Sequence, residues 1–351
     1  MPNNILLLGV GQDQLIMIKH ARELGWGVIG FDGNPKAEGV THCDHFVHCD
    51  IRNPDEVECY AIELNKKVGI DAVMAPATEM GISCGRVVDK LGLIGIGERT
   101  ARSLTIKTQR RLEFKSLRVL QPMFDFTSCG VYQREWLIFP CIIKPSDKMA
   151  SVGVRYIENA KELAEAKDWD IVEEYLEGWE LSTEVLVFNG FFMFATADRN
   201  YDKKLKWKPQ VMEDGCQFPS KISPKILKKV ENIIGKLVRE LKLVNCAIKL
   251  DLLVKDNLIY VIECAPRLGG GKLSSTMIPK SYGLDWWKTA LKLACGIPIS
   301  PEELQMKRKI YTAQRYRFPD SPKSHKDRLS DVICEGATYE EAVTNAERAI
   351  T

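Results

Sequence analysis

Residues 1–98 alternate short apolar runs with helical stretches, and that order leaves few ways to fold. Ile5–Val10 is a compact apolar run interrupted only by Gly9, after which Leu15, Ile18, Ala21 and Leu24 recur on one helical face. Gly27–Phe31 reads as a second buried strand, closed by the turn cluster Asp32–Pro35. Phe46–Val47 marks a short third strand, Ile70–Ala75 a fourth, and Ile82–Leu91 a helix. Strands without a polar face, each followed by a helix, predict a small parallel sheet covered by helices. The first domain is therefore α/β and occupies residues 1–98.

The rest of the chain changes rhythm. Residues 99–135 read as a helical connection. Cys141–Pro145 predicts a strand, Ser146–Ala150 a polar loop, Gly153–Ile157 a strand, and a short helix starts at Asn159. Ile171–Leu176 and Leu181–Phe188 are strands, the second ending in a turn at Asn189–Gly190. Pro224–Lys242 is an amphipathic helix, Cys246–Val254 and Leu258–Glu263 form a hairpin, and Gly296 terminates a helix over Leu284–Cys295. The charged tail from Pro301 packs back late. With 45% apolar and 27% charged residues the 351-residue chain has ample material for a core. A net charge of +2 carries no footprint for nucleic acid or for a membrane surface as partner. No apolar stretch approaches the length of a membrane span. The eleven cysteines are scattered, with no C-x-x-C pair, which points to a reduced cytoplasmic setting.

The hairpin carries the chemistry. Asp251 lies on its first strand and Glu263 ends its second. A three-residue loop Lys255–Asp256–Asn257 puts Asp251 opposite Val261 and Glu263 on the same face, roughly 7–8 Å away along the diagonal. Two carboxylates so placed share a Mg²⁺ ion, which prefers oxygen ligands. Arg267 follows as a cation for a phosphoryl group, and Gly269–Gly270–Gly271 leaves backbone N–H groups open to an anion. The expected guest is a polyphosphate held through metal, with a second anionic group beside it. A plain edge hairpin with two solvated acids and a glycine loop is the alternative. Upstream, Lys144 ends an apolar strand and can pair with phosphate oxygens, while the loop with Ser151 and Gly153 can fold over them. In Ile171–Val187, a base can rest near Tyr175–Leu176, and Glu180, seven residues beyond Glu173, can accept from ribose hydroxyls.

In this order the segments resemble an ATP-grasp enzyme: Lys144 with Ser151–Gly153, then Glu173–Leu176–Gly178–Glu180, then Asp251–Glu263–Arg267–Gly269. The resemblance covers nearly the whole chain. It implies a Rossmann-like domain followed by a two-lobed α+β module, with a small lobe over 136–188 and a large lobe with the C-terminal segment over 189–351. It also implies ATP and Mg²⁺ as cofactors, Lys107 as a further lysine on the nucleotide, and a carboxylate–amine ligase acting through an acyl phosphate. Lys144 and Arg267 are then the catalytic cations. The glycine run, with Lys272, holds the acceptor carboxylate or the acyl phosphate. The partners are a small-molecule carboxylate and amine, with a homodimer as the possible assembly. The pattern departs at Ala265, where the family commonly has an asparagine that ligates metal. A regulator with lost turnover and a bicarbonate-phosphorylating carboxylase are the alternatives.

Three other features compete. Thr41–Asp50 holds three histidines, two cysteines and two aspartates, which invites zinc, but no second cluster exists to complete a site. Gly9–Gln14 with Asp32 resembles part of a dinucleotide fingerprint whose third glycine is replaced by Gln14. Gly9, Gly11, Thr78 and Glu79 follow strand ends, where open α/β sheets bind ligands, and are substrate-site candidates. The basic run Asp202–Pro209 reads as a solvated lobe edge or a loop near the substrate.

Overall fold

The computed structural model describes residues 3–126, 137–166, 169–200 and 206–351. Four strands, β1 (Asn4–Leu8), β2 (Gly27–Asp32), β3 (His45–His48) and β4 (Ala72–Met74), form a parallel sheet in the order β3-β2-β1-β4. Successive side chains of a strand point to opposite faces. Ile5 and Leu7 accordingly join one core, and Leu6 and Leu8 another. Both faces are covered, which is why β1 reads as an unbroken apolar run. The helix Trp286–Ala294, from the far end of the chain, packs into the first of these cores through Trp286 and Trp287.

The described part of the segment expected to be a helical connection contains the helices Glu98–Thr105 and Lys107–Ser116 and then a strand, β5 (Phe124–Phe126). That strand belongs to a second sheet with β6 (Cys141–Lys144), β7 (Arg155–Ile157) and β8 (Ile171–Glu174), in the antiparallel order β5-β8-β6-β7. Residues 127–135 of the expected connection lie outside the described residues.

The third sheet joins β9 (Trp179–Phe188), β10 (Phe191–Asn200), β11 (Gly215–Phe218), β12 (Cys246–Lys255), β13 (Leu258–Ala265), β14 (Tyr311–Arg317) and β15 (Ser330–Gly336). Its order is β13-β12-β9-β10-β11-β14-β15, antiparallel throughout. Two expectations change here. The strand Leu181–Phe188, assigned to the small lobe, is an inner strand of this large sheet, so the lobes part between β8 and β9. Gly178 stands at that junction. A side chain there would run into the Val254 carbonyl of β12, which is the close approach that demands glycine. The C-terminal tail is also more than a charged appendage, since β14 and β15 extend the sheet and the helix Tyr339–Ile350 covers them.

One face of the large sheet is apolar. Leu181, Val185, Ile248, Leu250 and Leu252 pack against Ile226, Val230, Ile234 and Leu237 of the helix Pro224–Glu240. The Ser223 side chain caps that helix by accepting from the Ile226 N–H. Each such buried side chain stabilises by about 1.5–3 kcal/mol. The intervening residues form the opposite, charged face, which carries Glu184, Lys249, Asp251 and Glu263.

The hairpin loop has two residues, not the expected three. Asp256 and Asn257 both have positive φ, at 50° and 60°, as a type I′ turn requires. Lys255 pairs with Leu258 and Leu252 with Val261, and then the register slips so that Asp251 faces Glu263 directly. The extra residue is Ile262, a β-bulge.

Candidate functional site

A cleft of about 970 Å³, partly open to solvent, lies between the small antiparallel sheet and the charged face of the large one. It gathers residues from five separate segments. Lys107 enters from a helix start and Lys144 from the end of β6. Ser151 comes from the loop after β6, and Glu173, Tyr175, Leu176 and Glu180 from the junction between lobes. Asp251 and Glu263 close it from the hairpin. Gly153 sits one step behind the lining at φ +74°, where a side chain would press on Pro145.

Each charge in the cleft has a partner. Lys144 Nζ lies 2.6 Å from Glu173 Oε2, and Arg111 Nε donates to Glu173 Oε1 at 2.8 Å. Burial alone would raise the Glu173 carboxyl, but Arg111 and Lys144 more than reverse this and hold it well below the usual range. Burial works likewise on Glu263, and is overcome by Arg110, Lys107, Lys249 and Lys144, so that carboxylate too stays ionised. Asp251 is held by Lys249 Nζ at 2.8 Å and Arg199 at 2.9 Å.

Lys107 is different. Its ammonium donates to the Lys148 carbonyl, and burial pushes its pKa down to about 8. Only the charged form attracts phosphate. Nucleotide affinity is therefore expected to fall as pH rises through about 8, with net proton uptake on binding near that pH. Calorimetry in buffers of different ionisation enthalpy measures that uptake. Lys107→Arg, charged throughout, should abolish it.

A second group gathers at the glycine run. Arg267 does not line the cleft. It pairs with Glu79, donates to the Leu268 carbonyl at 2.9 Å, and faces the N-terminal domain. The Ala77 N–H reaches the Leu268 carbonyl at 3.3 Å, which brings the Thr78–Glu79 turn to the glycines. Gly269 N–H donates to Glu184 at 3.0 Å, Gly270 lies against Ala77 and Gly271 against Tyr316. Lys272 Nζ is 2.7 Å from Asp331. Gly9, at φ +99°, abuts Thr78, whose hydroxyl donates to the Leu8 carbonyl, and Gly11 N–H donates to Gln14 Oε1.

Sequence reading missed Arg110, Arg111, Glu184, Arg199 and Lys249. Two signals were present. Lys107, Arg110, Arg111 and Phe114 fall at i, i+3, i+4 and i+7, the spacing of an inward helical face, and all four are buried. Lys249 and Asp251 alternate with apolar residues on one strand, which marks a charged sheet face. The histidine cluster has a simpler role. His45 and His48 bracket an exposed edge strand, and His48 Nε2 lies 3.1 Å from the Gly33 carbonyl. Of the basic run, residues 202–205 lie outside the described residues, and Lys206 stands 5.2 Å over the Trp207 ring.

Two sheets clasping a cleft with lysines on one wall and an opposed acid pair on the other define the ATP-grasp fold. Residues 113–271 match the ATP-grasp domain family, so this part of the chain is an ATP-grasp domain. It is 34% identical over 109 residues to the carbamoyl phosphate synthase large chain of Thermoplasma acidophilum, 31% of this chain and 10% of that one. It is 24% identical to the D-alanine–D-alanine ligase of Fervidobacterium nodosum over 46% of this chain and 55% of that one. The chain thus spans a tenth of the first of these relatives and about half of the second. The L-amino acid ligase structure from Bacillus licheniformis superposes with a TM-score of 0.83 at 16% identity, over 99% of this chain and 96% of that one. Among the described residues no helix is long and apolar enough to cross a membrane.

Proposed function

We propose that the chain is an ATP- and Mg²⁺-dependent ligase that joins a carboxylate to an amine through an acyl phosphate. The observation that carries this is the single cleft that collects Lys107, Lys144, Glu180, Asp251 and Glu263 from distant parts of the sequence. The donor set fits the metal. Two acids stand directly opposed on one sheet face and both line the cleft, supplying the oxygen donors Mg²⁺ prefers. Beside them Ala265 offers no donor, and the cross-strand neighbour Lys249 reaches Asp251 instead. When bound, MgATP supplies the phosphoryl group and a divalent charge at that group.

The rest falls to the chain's own side chains. Lys107 and Lys144 are cations for phosphate oxygens, and phosphoryl transfer needs such positioning more than covalent help. Tyr175, Leu176, Ile142 and Leu253 wall the base, and Glu180 accepts from the ribose. The loop with Ser151 and Gly153 excludes water, which protects an acyl phosphate from hydrolysis. The Gly269 N–H, expected to be open to an anion, is taken by Glu184, which leaves the N–H groups of Gly270 and Gly271 with Lys272 to hold the acceptor anion, with Gly9, Gly11, Thr78 and Glu79 on the opposite wall. Arg267, expected as a catalytic cation, lies outside the cleft in an ion pair with Glu79, and its part is at the glycine run, where an arriving anion competes with Glu79.

The names of the D-alanine–D-alanine and L-amino acid ligases support amino acids as the substrate class. Residues 1–98 are read as the domain preceding the ATP-grasp module, β5–β8 as its small lobe and β9 onward as its large lobe. The described cysteines are all free thiols, in keeping with a cytoplasmic protein, and a homodimer is the assembly to test by sedimentation. The decisive experiment measures ADP release against amino acids and small carboxylates, singly and in pairs. A signal that needs both an acid and an amine is expected. Release with bicarbonate alone replaces the ligase with a carboxylase, and silence against every pair, with ATP bound, replaces it with a regulator.

A further inference from the structure

We propose that Arg111 is a positioning residue that couples the lysine wall of the cleft to the acid pair, by holding the bulge that aims Glu263. This rests on reading the cleft as a nucleotide site. The Arg111 side chain is fully buried and spends its donors on three separate segments, one of them Gln121, whose Oε1 accepts at 3.4 Å. Nε goes to Glu173, whose other oxygen holds Lys144 at 2.6 Å. The two terminal nitrogens reach the carbonyls of Val261 and Ile262, each at 3.0 Å. Those carbonyls belong to the bulge itself.

The bulge decides where Glu263 points. Leu252 pairs with Val261. A regular ladder would then place Ile262 opposite Asp251 and Glu263 opposite Leu250, on the apolar face against the helix Pro224–Glu240. One extra residue flips Glu263 to the charged face, opposite Asp251. β13 is the edge strand of its sheet, so backbone groups beside the bulge lack a second strand to pair with, and the Arg111 fork takes up two of them. Val261 is also pinned through its N–H, which donates to the Leu120 carbonyl at 2.9 Å. Neighbouring Arg110, on the same helical face, stands 3.8 Å from the Glu263 carboxylate. A single side chain therefore joins Lys144, which faces the phosphates, to the strand that presents a metal ligand. Movement of Glu173 on phosphate binding to Lys144 is transmitted to the bulge, and the converse holds by reciprocity.

The test separates this coupling from general loosening. ATP binding is measured by calorimetry in EDTA and in excess Mg²⁺, and the ratio of the two affinities is the readout. Arg111→Lys keeps a cation beside Glu173 but loses the planar fork to two carbonyls. Its affinity in EDTA should stay within about threefold of wild type, while the gain from Mg²⁺ falls roughly tenfold. An unchanged gain, or an equal loss with and without Mg²⁺, overturns the proposal. If that variant does not fold, Arg111→Met combined with Glu173→Gln removes both buried charges together and is read by the same ratio. A wild-type chain that binds no ATP, or binds it equally with and without Mg²⁺, overturns the nucleotide or metal reading, and this inference with it. A wild type that gains from Mg²⁺ beside a variant that gains as much overturns the inference alone.

Discussion

Glu263→Gln is expected to cut ADP formation by on the order of 10³-fold, about 4 kcal/mol of transition-state stabilisation. The side chain keeps its shape and one oxygen, so the loss reports charge and metal ligation rather than packing. Glu263 stands opposite Asp251 on the same sheet face, and four cations, Arg110, Lys107, Lys249 and Lys144, keep it ionised against its burial. An amide binds a hard divalent ion poorly and leaves Arg110 without its carboxylate partner. Some stability is lost as well, about 1–3 kcal/mol for the buried Arg110 deprived of its partner. Circular dichroism and a melting curve distinguish that from unfolding. An unchanged rate of ADP release would remove Glu263 from the metal site. The paired variant Asp251→Asn should behave alike, and the two should be far from additive, since they serve one ion.

The second large effect is on stability. Replacing Glu173 with alanine should destabilise the chain by about 3–5 kcal/mol and lower Tm by roughly 10 °C, because it strands Arg111 in a dry interior with Lys144 at its edge. The pH dependence follows from the direction of the shift. Burial raises the Glu173 carboxyl, but Arg111 and Lys144 depress it further, so the folded value lies below the unfolded one of about 4.5. The stability it contributes is fully present above about pH 4.5 and drains away as pH falls toward the folded value. Wild type should therefore lose stability on acidification over a window where Glu173→Ala loses less. Denaturant titrations at a series of acidic pH values measure both slopes, and parallel curves would show that the triad contributes nothing.

Much of the fold was legible because burial patterns are local. The parallel sheet of residues 1–98 follows from runs such as Ile5–Leu8, apolar on both faces, with helices at the expected spacing. The helix from Pro224 announced itself by its apolar stripe. Strands such as β10 and β11, and the tail strands β14 and β15, were hidden because their partners lie far away in the chain. Phe191–Asn200 is a strand through pairing with β9, and Tyr311–Arg317 through pairing with β11. Loop length was misread as well. Lys255 is an ordinary strand residue, and a two-residue turn plus a bulge keeps Asp251 and Glu263 on one sheet face, as a three-residue loop would have, but directly opposed rather than diagonal.

The amino-acid order alone determined the chemical inventory: which acids, lysines and glycines exist, and in what succession. Their types and spacing follow from covalent sequence and from strand and helix periods. What only the tertiary structure decided is which of them meet. Arg111 acts on residues 62 and 150 positions away, Arg267 turns toward Glu79 rather than into the cleft, and Lys249 takes up the Asp251 carboxylate. Pairing between distant segments depends on the packing of whole sheets, a property that no local stretch of sequence contains.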